Sequence, residues 1–223
     1  MSTAFPDTCH IWQVDLTSPP GLEHILDAVE RERASRLHFE RDRSHFIVCH
    51  VALRQILGRY LDCNPAVIEF CLGEHGRPSV AGGGSLDFNL SHSGNLALIA
   101  VGSAGPLGVD LEAMREISRP LDLARRYLHP HELPLFETAA PERLSALWLT
   151  AWTRKEAALK SAGTGLTVRT QLLNTGATEQ EKVLDFPPFP PLRVVSFTPA
   201  PGYIAALATP LGVHSFEMKR FES

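Results

Sequence analysis

Apolar positions recur at three- and four-residue spacing over Leu22, Ile25, Leu26 and Val29, which predicts a helix opened by Ser18-Pro19-Pro20. A longer helix is predicted from Ser44, with Phe46, Ile47, Val51, Leu53, Ile56 and Leu57 on its apolar face. Gly58 or Asp62-Cys63-Asn64-Pro65 ends it. Val67-Ile68-Glu69-Phe70 reads as a short strand and Gly82-Gly83-Gly84 as a turn. Leu86–Ser91 and Asn95–Val101 form a hairpin around His92-Ser93-Gly94. After the break at Gly105-Pro106 come a strand, Leu107–Glu112, and two short helices, Leu121–Leu128 and His131–Phe136. A long helix then runs from Pro141 to about Ser161 and is stopped by Gly163-Thr164-Gly165. Beyond the loop Pro187–Pro191, Leu192–Phe197 and Tyr203–Ala208 make a second hairpin.

The order of elements repeats, although the residues do not. Each part offers a long helix, strands and a closing hairpin with an apolar second arm. The pattern predicts a pseudo-duplicated α+β chain (mixed α/β) of two similar halves, residues 1–105 and 106–223. Each half would pack a long helix on a small antiparallel sheet, with an active site in the cleft between them.

Composition narrows the field. With 223 residues, 44% hydrophobic and 21% charged, the chain needs no metal or disulfide to fold. Its formal charge of -4 is a poor match to a nucleic-acid binder, so any phosphate chemistry must use a local basic pocket. MSTAFPDTCH lacks the features of a secretory leader, and Leu96–Val101 is far too short to span a membrane. Cys9, Cys49, Cys63 and Cys71 show neither a C-x-x-C pair nor zinc-like spacing and are expected to be free thiols. A cytoplasmic protein is expected.

Three segments carry candidate chemistry. In Leu107-Gly108-Val109-Asp110-Leu111-Glu112, strand geometry points the carboxylates of Asp110 and Glu112 the same way. Two such groups repel unless a cation sits between them, and oxygen ligands suit Mg²⁺. A solvated strand end carries the same pattern. In Trp148-Leu149-Thr150-Ala151-Trp152-Thr153-Arg154-Lys155-Glu156-Ala157-Ala158-Leu159-Lys160, Glu156 and Lys160 lie one turn apart, as in an exposed ion pair. Yet Trp148 and Trp152 line up with Glu156, which sets that carboxylate near a buried edge where it wants a partner or a metal. Third, Phe88-Asn89-Leu90-Ser91-His92-Ser93-Gly94, with Gly76-Arg77-Pro78 upstream, places donors for phosphate oxygens in turn regions. The same residues also populate ordinary turns. No G-x-S-x-G elbow accompanies the serine and histidine. His129, His131 and Glu132 read as a helix-start loop, and Arg31, Arg33 and Arg36 as a solvated face.

Taken in order, Gly-Arg-Pro (76–78), Phe-Asn-Leu-Ser-His-Ser (88–93), Gly-Val-Asp-Leu-Glu (108–112) and Trp-Thr-Arg-Lys-Glu-Ala-Ala-Leu-Lys (152–160) resemble the motif set of the 4′-phosphopantetheinyl transferases. The length and two-half layout are similar to the surfactin-synthetase-activating type, a monomeric pseudodimer. The resemblance implies transfer of 4′-phosphopantetheine from coenzyme A to a serine of an acyl or peptidyl carrier protein, releasing adenosine 3′,5′-bisphosphate. It implies Asp110, Glu112 and Glu156 as Mg²⁺ ligands, and Arg33, Arg77, Ser91 and His92 as contacts to the adenosine and 3′-phosphate end of coenzyme A. Lys155 and Lys160 match its cofactor-binding lysines, Lys160 being the better placed for the diphosphate, and Glu156 and Lys160 are its catalytic pair. The N-terminal half would then hold the adenosine end and the C-terminal half the metal. One departure is His45, three residues after Asp42, where the family carries arginine.

Carriers are expected to dock near Met114–Tyr127, where Arg115, Arg119, Arg125 and Arg126 outnumber Glu116 and Asp122. Two other readings stay open from the residues: a Mg²⁺-dependent hydrolase of nucleotides or coenzyme A, and a silent homologue that only binds carriers. Neither nucleic acid nor membrane is an expected partner.

Overall fold

In the computed structural model, which describes residues 7–18, 21–178 and 180–222, strand β1 (Thr8–Asp15) precedes helices α1 (Ala28–Ser35) and α2 (Glu40–Leu61). Strands β2 (Phe70–Leu72) and β3 (Pro78–Val80) form a small antiparallel pair, and β4 (Asp87–Ser93) and β5 (Leu96–Gly102) a hairpin. The second half runs β6 (Gly108–Ala113), α3 (Pro120–Tyr127), α4 (Leu133–Thr138) and α5 (Leu144–Ala162). Strands β7 (Glu181–Leu184), β8 (Leu192–Phe197), β9 (Tyr203–Pro210) and β10 (Ser215–Arg220) complete it.

The apolar runs in β5 and β9 do not alternate because both faces of each strand are buried. In β5, Ala97, Ile99 and Val101 pack on α2 residues Val48, Ala52 and Ile56, while Leu98 and Ala100 face the other way. There they meet Val109 and Leu111 of β6, Ala205 and Leu207 of β9, and Cys9 and Ile11 of β1. On its far face β9 presents Ala206 and Ala208 to Ala157 and Ala158 of α5. The result is four layers, α2, sheet, sheet, α5, with the central core between the sheets. The α+β class and the pairing of a long helix with a small sheet in each half are as expected.

Several local expectations change. The first predicted helix becomes a 3₁₀ turn at Glu23–Ile25 followed by α1, whose start is fixed by a capping box. There the Asp27 carboxylate accepts from Glu30 N at 2.8 Å, and Asp27 N donates to the Glu30 side chain at 3.0 Å. Pro19 and Pro20 lie outside the described residues. The strand predicted at Val67–Phe70 starts only at Phe70, because Asn64 caps a 3₁₀ turn over Pro65–Val67. His92 and Ser93 belong to β4 and not to the turn, which falls at Gly94 with φ +57°. The N-terminal sheet, in the order β10-β1-β5-β4, is not purely antiparallel: β10 returns from the end of the chain and pairs parallel to β1, Thr8 with Ser215 through Gln13 with Arg220. The second sheet, β6-β9-β8-β7, is antiparallel throughout.

The tightest contact in the fold lies between β6 and α5. A Cβ built on Gly108 would sit 1.9 Å from the Ala157 carbonyl oxygen and 2.6 Å from Ser161 N, both backbone atoms that cannot swing aside. Gly108→Ala should therefore destabilise by ~3 kcal/mol, at the upper end of what overpacking costs. A chemical-denaturation midpoint within error of the parent protein would show that strand and helix are not in this contact.

Candidate active site

Strands β4 and β6 are edge strands of different sheets that meet side by side. No backbone ladder joins them. Instead alternate side chains of β4 accept alternate backbone N–H groups of Leu107 and of β6, which follows it. Asp87 Oδ2 takes Leu107 N at 2.7 Å and Asn89 Oδ1 takes Val109 N at 2.9 Å. Ser91 Oγ takes Leu111 N at 3.2 Å and Ser93 Oγ takes Ala113 N at 3.0 Å. Each serine also donates to a carboxylate of β6: Ser91 Oγ to Asp110 Oδ1 at 2.9 Å, and Ser93 Oγ to Glu112 Oε2 at 3.1 Å. Arg77 closes one end of this seam. It grips Asp87 in a bidentate pair at 2.8 and 2.7 Å and donates to the carbonyls of Lys160 and Leu107 at 3.0 and 2.8 Å.

The seam alters the expected grouping of residues. Arg77 spends its guanidinium on Asp87 and backbone carbonyls, and Ser91 is buried with its hydroxyl both donating and accepting. Both are committed within the protein, because the strand alternation that faces Ser91 toward β6 turns His92 to the opposite side. Lys155 departs furthest from expectation. Its ammonium is fully buried, pairs with Glu132 at 2.8 Å and donates to the carbonyls of Thr170 and Leu173. The physical reason is helical: one residue along α5 turns the side chain about 100° away from Glu156. Arg154 is likewise fully buried, donating to Thr175 O at 2.7 Å and Ser196 Oγ at 2.8 Å. The two anchors leave Glu156 and Lys160 on the face toward β6.

There the acidic group assembles. Lys160 Nζ lies 2.7 Å from Asp110 Oδ1 and donates to Val109 O at 3.1 Å. Asp110 is buried, and burial raises its pKa against the opposing pull of Lys160 and Ser91, with Glu112 adding to the rise. The Glu156 pKa is also raised, first by burial and then by the charge of Asp110, with Glu112 contributing. Glu112 is paired with Arg115 at 2.6 Å. Ser93, named only within its motif, and Arg115, expected only in the docking segment, thus contact Glu112, a role the motifs did not assign to them. The period-two polar run Asp87, Asn89, Ser91, Ser93 was the signal that could have exposed the serine.

The adjoining face is basic. His92 is exposed, and its pKa is lowered by partial desolvation and by the charges of His45, Lys160 and His50, with Asp42 opposing. The His45 pKa is lowered as well, by desolvation and then by Arg41. Arg33 reaches the same region from α1, its guanidinium 5.5 Å from the centre of the Phe46 ring, on which His50 stacks at 4.0 Å.

The expected docking segment is partly self-neutralised. Arg119 pairs with Asp122 at 2.6 Å and Arg125 with Glu137 at 3.6 Å. Arg126 stacks on Tyr127, whose ring in turn contacts Trp148 and Trp152, while Ile117 and Leu121 pack into the cluster beneath. Met114 is exposed. All four cysteines are free thiols, and burial pushes Cys49 up to about 12.

Among the described residues, no three His, Cys, Asp or Glu side chains are arranged as a ready-made metal cage. The donor chemistry nevertheless fits a hard divalent cation: Asp110, Glu112 and Glu156 are oxygen donors near enough to act on one another's charge, Asp110 being opposed by burial and Glu112, and Glu156 by burial, Asp110 and Glu112. In the protein alone Lys160 and Arg115 supply the compensating charge.

A raised Glu156 pKa means that ionisation of this group opposes folding. Its unfavourable contribution is absent near the ordinary glutamate value and grows as pH rises through the shifted one. Glu156→Gln, in a chelator, should therefore melt on the order of 2 °C higher than the parent at pH 8, with the gap closing toward pH 4. A variant less stable at pH 8 would show that the carboxylate is not strained there.

The same architecture has relatives. A family model described as the 4′-phosphopantetheinyl transferase superfamily matches residues 106–198, and one described as the N-terminal part of a 4′-phosphopantetheinyl transferase matches residues 12–104. The 4′-phosphopantetheinyl transferase HetI of Nostoc sp. is 33% identical over 214 residues, covering 92% of this chain and 89% of that one. A putative 4′-phosphopantetheinyl transferase of Synechocystis sp. is 35% identical over 160 residues, 70% of this chain and 65% of the relative. The 4′-phosphopantetheinyl transferase Sfp of Bacillus subtilis is 26% identical over 144 residues, 65% of this chain and 63% of Sfp. With both halves matched and nearly the full length of one relative aligned, the chain belongs to the 4′-phosphopantetheinyl transferase superfamily.

Proposed function

We propose that this protein transfers the 4′-phosphopantetheine arm of coenzyme A to a serine of an acyl or peptidyl carrier protein and releases adenosine 3′,5′-bisphosphate, acting as a cytoplasmic monomer. What supports the reading is the Lys160–Asp110 pair, with Glu112 and Glu156 near enough to act on its charge, beside His92 and His45. An acidic group beside a basic one suits a ligand with a diphosphate at one end and a phosphomonoester at the other.

Asp110, Glu112 and Glu156 would hold Mg²⁺. Bound there, the ion would neutralise negative charge on the diphosphate. Lys160 is the chain's own cation for the same charge, and its bond to Asp110 keeps it in place before substrate arrives. His92, His45 and Arg33 would receive the 3′-phosphate end, with Arg77 and Ser91 supporting the seam beneath. The serine hydroxyl attacks the phosphorus that bears the pantetheine arm, and the bond to the bridging oxygen of the diphosphate breaks. Glu156 takes the serine proton. The rate should fall as pH drops far enough to protonate that carboxylate. The carrier would approach over Met114–Tyr127, where an acidic partner would meet Arg125 and Arg126 and where Met114 is exposed.

Mass spectrometry of an apo carrier incubated with the protein, coenzyme A and Mg²⁺ should show the phosphopantetheine adduct on serine. Glu156→Gln should lose on the order of a hundredfold or more in rate. His45→Ala combined with His92→Ala should chiefly raise the KM for coenzyme A. Release of adenosine bisphosphate at full rate without carrier would instead identify a hydrolase, and no turnover with any carrier would leave a binding homologue. Separately, reversing Arg125 and Arg126 to glutamate should raise the KM for carrier about tenfold, chiefly through slower association. An unchanged KM would move the docking surface elsewhere.

A further inference from the structure

The two serines of β4 make the same pair of bonds one step apart. Ser91 accepts the N–H of Leu111 and donates to the carboxylate of Asp110; Ser93 accepts the N–H of Ala113 and donates to the carboxylate of Glu112. Each hydroxyl is thus tied at its acceptor side to rigid strand backbone, which leaves its proton only one direction, toward a carboxylate oxygen. The bonds are selective between the two oxygens. In Asp110, Ser91 and Lys160 both bond Oδ1, and Oδ2 has no hydrogen-bond partner among the described residues. In Glu112, Ser93 and Arg115 both bond Oε2, and the one further hydrogen bond among the described residues, Arg115 to Oε1, is a long 3.4 Å. Asn89 and Asp87 occupy the same rows of the seam, but Asn89 holds a backbone N–H alone and Asp87 holds one together with Arg77, and neither is hydrogen-bonded to either acidic residue.

We infer that Ser91 and Ser93 are a matched pair of positioning residues for the divalent-cation site, each locking one oxygen of its carboxylate so that the other is presented to the ion. This rests on the assignment of Asp110 and Glu112 as metal ligands made above. It also gives the spacing of the two motifs a common cause: serines at i and i+2 of one strand serve acidic residues at i and i+2 of its neighbour. A carboxylate freed from its hydroxyl regains rotamer freedom that cation binding must then remove, and loss of such outer partners typically weakens metal affinity about 10- to 100-fold.

The test is Mn²⁺ affinity of the protein alone, by electron paramagnetic resonance titration with neither coenzyme A nor carrier present, alongside thermal melts. Ser91→Ala and Ser93→Ala should each weaken Mn²⁺ binding about tenfold, and Ser93→Thr, which keeps a hydroxyl at the more open position, should restore most of it. Asn89→Ala is the control for a merely structural role: it removes a seam bond and should lower the melting temperature while moving Mn²⁺ affinity less than twofold. Serine variants that bind Mn²⁺ like the parent would overturn the inference. So would an Asn89→Ala variant that weakens binding as much as they do, or a parent protein that takes up no Mn²⁺. Conversion of apo to holo carrier by the parent reports separately on the transferase reading.

Discussion

The seam between β4 and β6 is the constraint on which the rest depends. Two sheets that stack face to face can slide over one another unless side chains pin them. Here the register is fixed by four side chains of one edge strand, each holding a backbone N–H of the other or of Leu107 just before it. The arrangement also resolves a liability, since an exposed edge presents unpaired donors to any passing strand. With β6 pinned on this side, and held on its helix side at the distance that Gly108 permits, Asp110 and Glu112 have only one place to be.

Helix α5 meets that strand with its cations divided by helical phase. Arg154 and Lys155 are buried and tie the helix to the 170–176 segment and to β8, whereas Lys160 turns to Asp110 of β6. A buried ion pair is a weak source of net stability, but breaking one costs about 3–5 kcal/mol. Lys155 and Glu132 are thus better understood as fixing where the helix lies than as strengthening the fold. The stacked Trp148 and Trp152 rings, at 5.4 Å, and Tyr127 against them then seat α3 on the same helix. One element carries the acidic residue, the lysine and the support of the neighbouring basic segment.

The electrostatics follow from burial more than from net charge. A chain of formal charge -4 still builds a local basic face, because His45, His50 and His92 come from α2 and β4 to the rim beside Lys160. His45, His50 and Lys160 all lower the tendency of His92 to hold a proton, so His92 becomes cationic chiefly when an anion arrives. On the acidic side the reverse holds: Asp110 and Glu156 resist ionisation until a cation compensates them. Oppositely strained neighbours suit a ligand carrying phosphates together with a metal.

The sequence by itself determined the α+β class, both long helices, both hairpins and the ordered motifs that mark the superfamily, because these are local patterns of period 3.6 or 2 with clear breaks at Gly and Pro. It also placed Asp110 and Glu112 on one strand face and Glu156 in phase with Lys160, since both follow from geometry within one element. Only the tertiary structure decided that β10 closes the first sheet, a pairing between Thr8 and Ser215 that no local pattern encodes. The same is true of β1, whose Cys9 and Ile11 are buried only because a second sheet lies over them. It parted Ser91 from His92, drew Lys155 beneath α5 and turned Arg77 inward, because what a polar side chain binds depends on which strand or loop packs beside it. Local sequence fixes the direction in which a side chain leaves the backbone; only long-range packing supplies what it meets there.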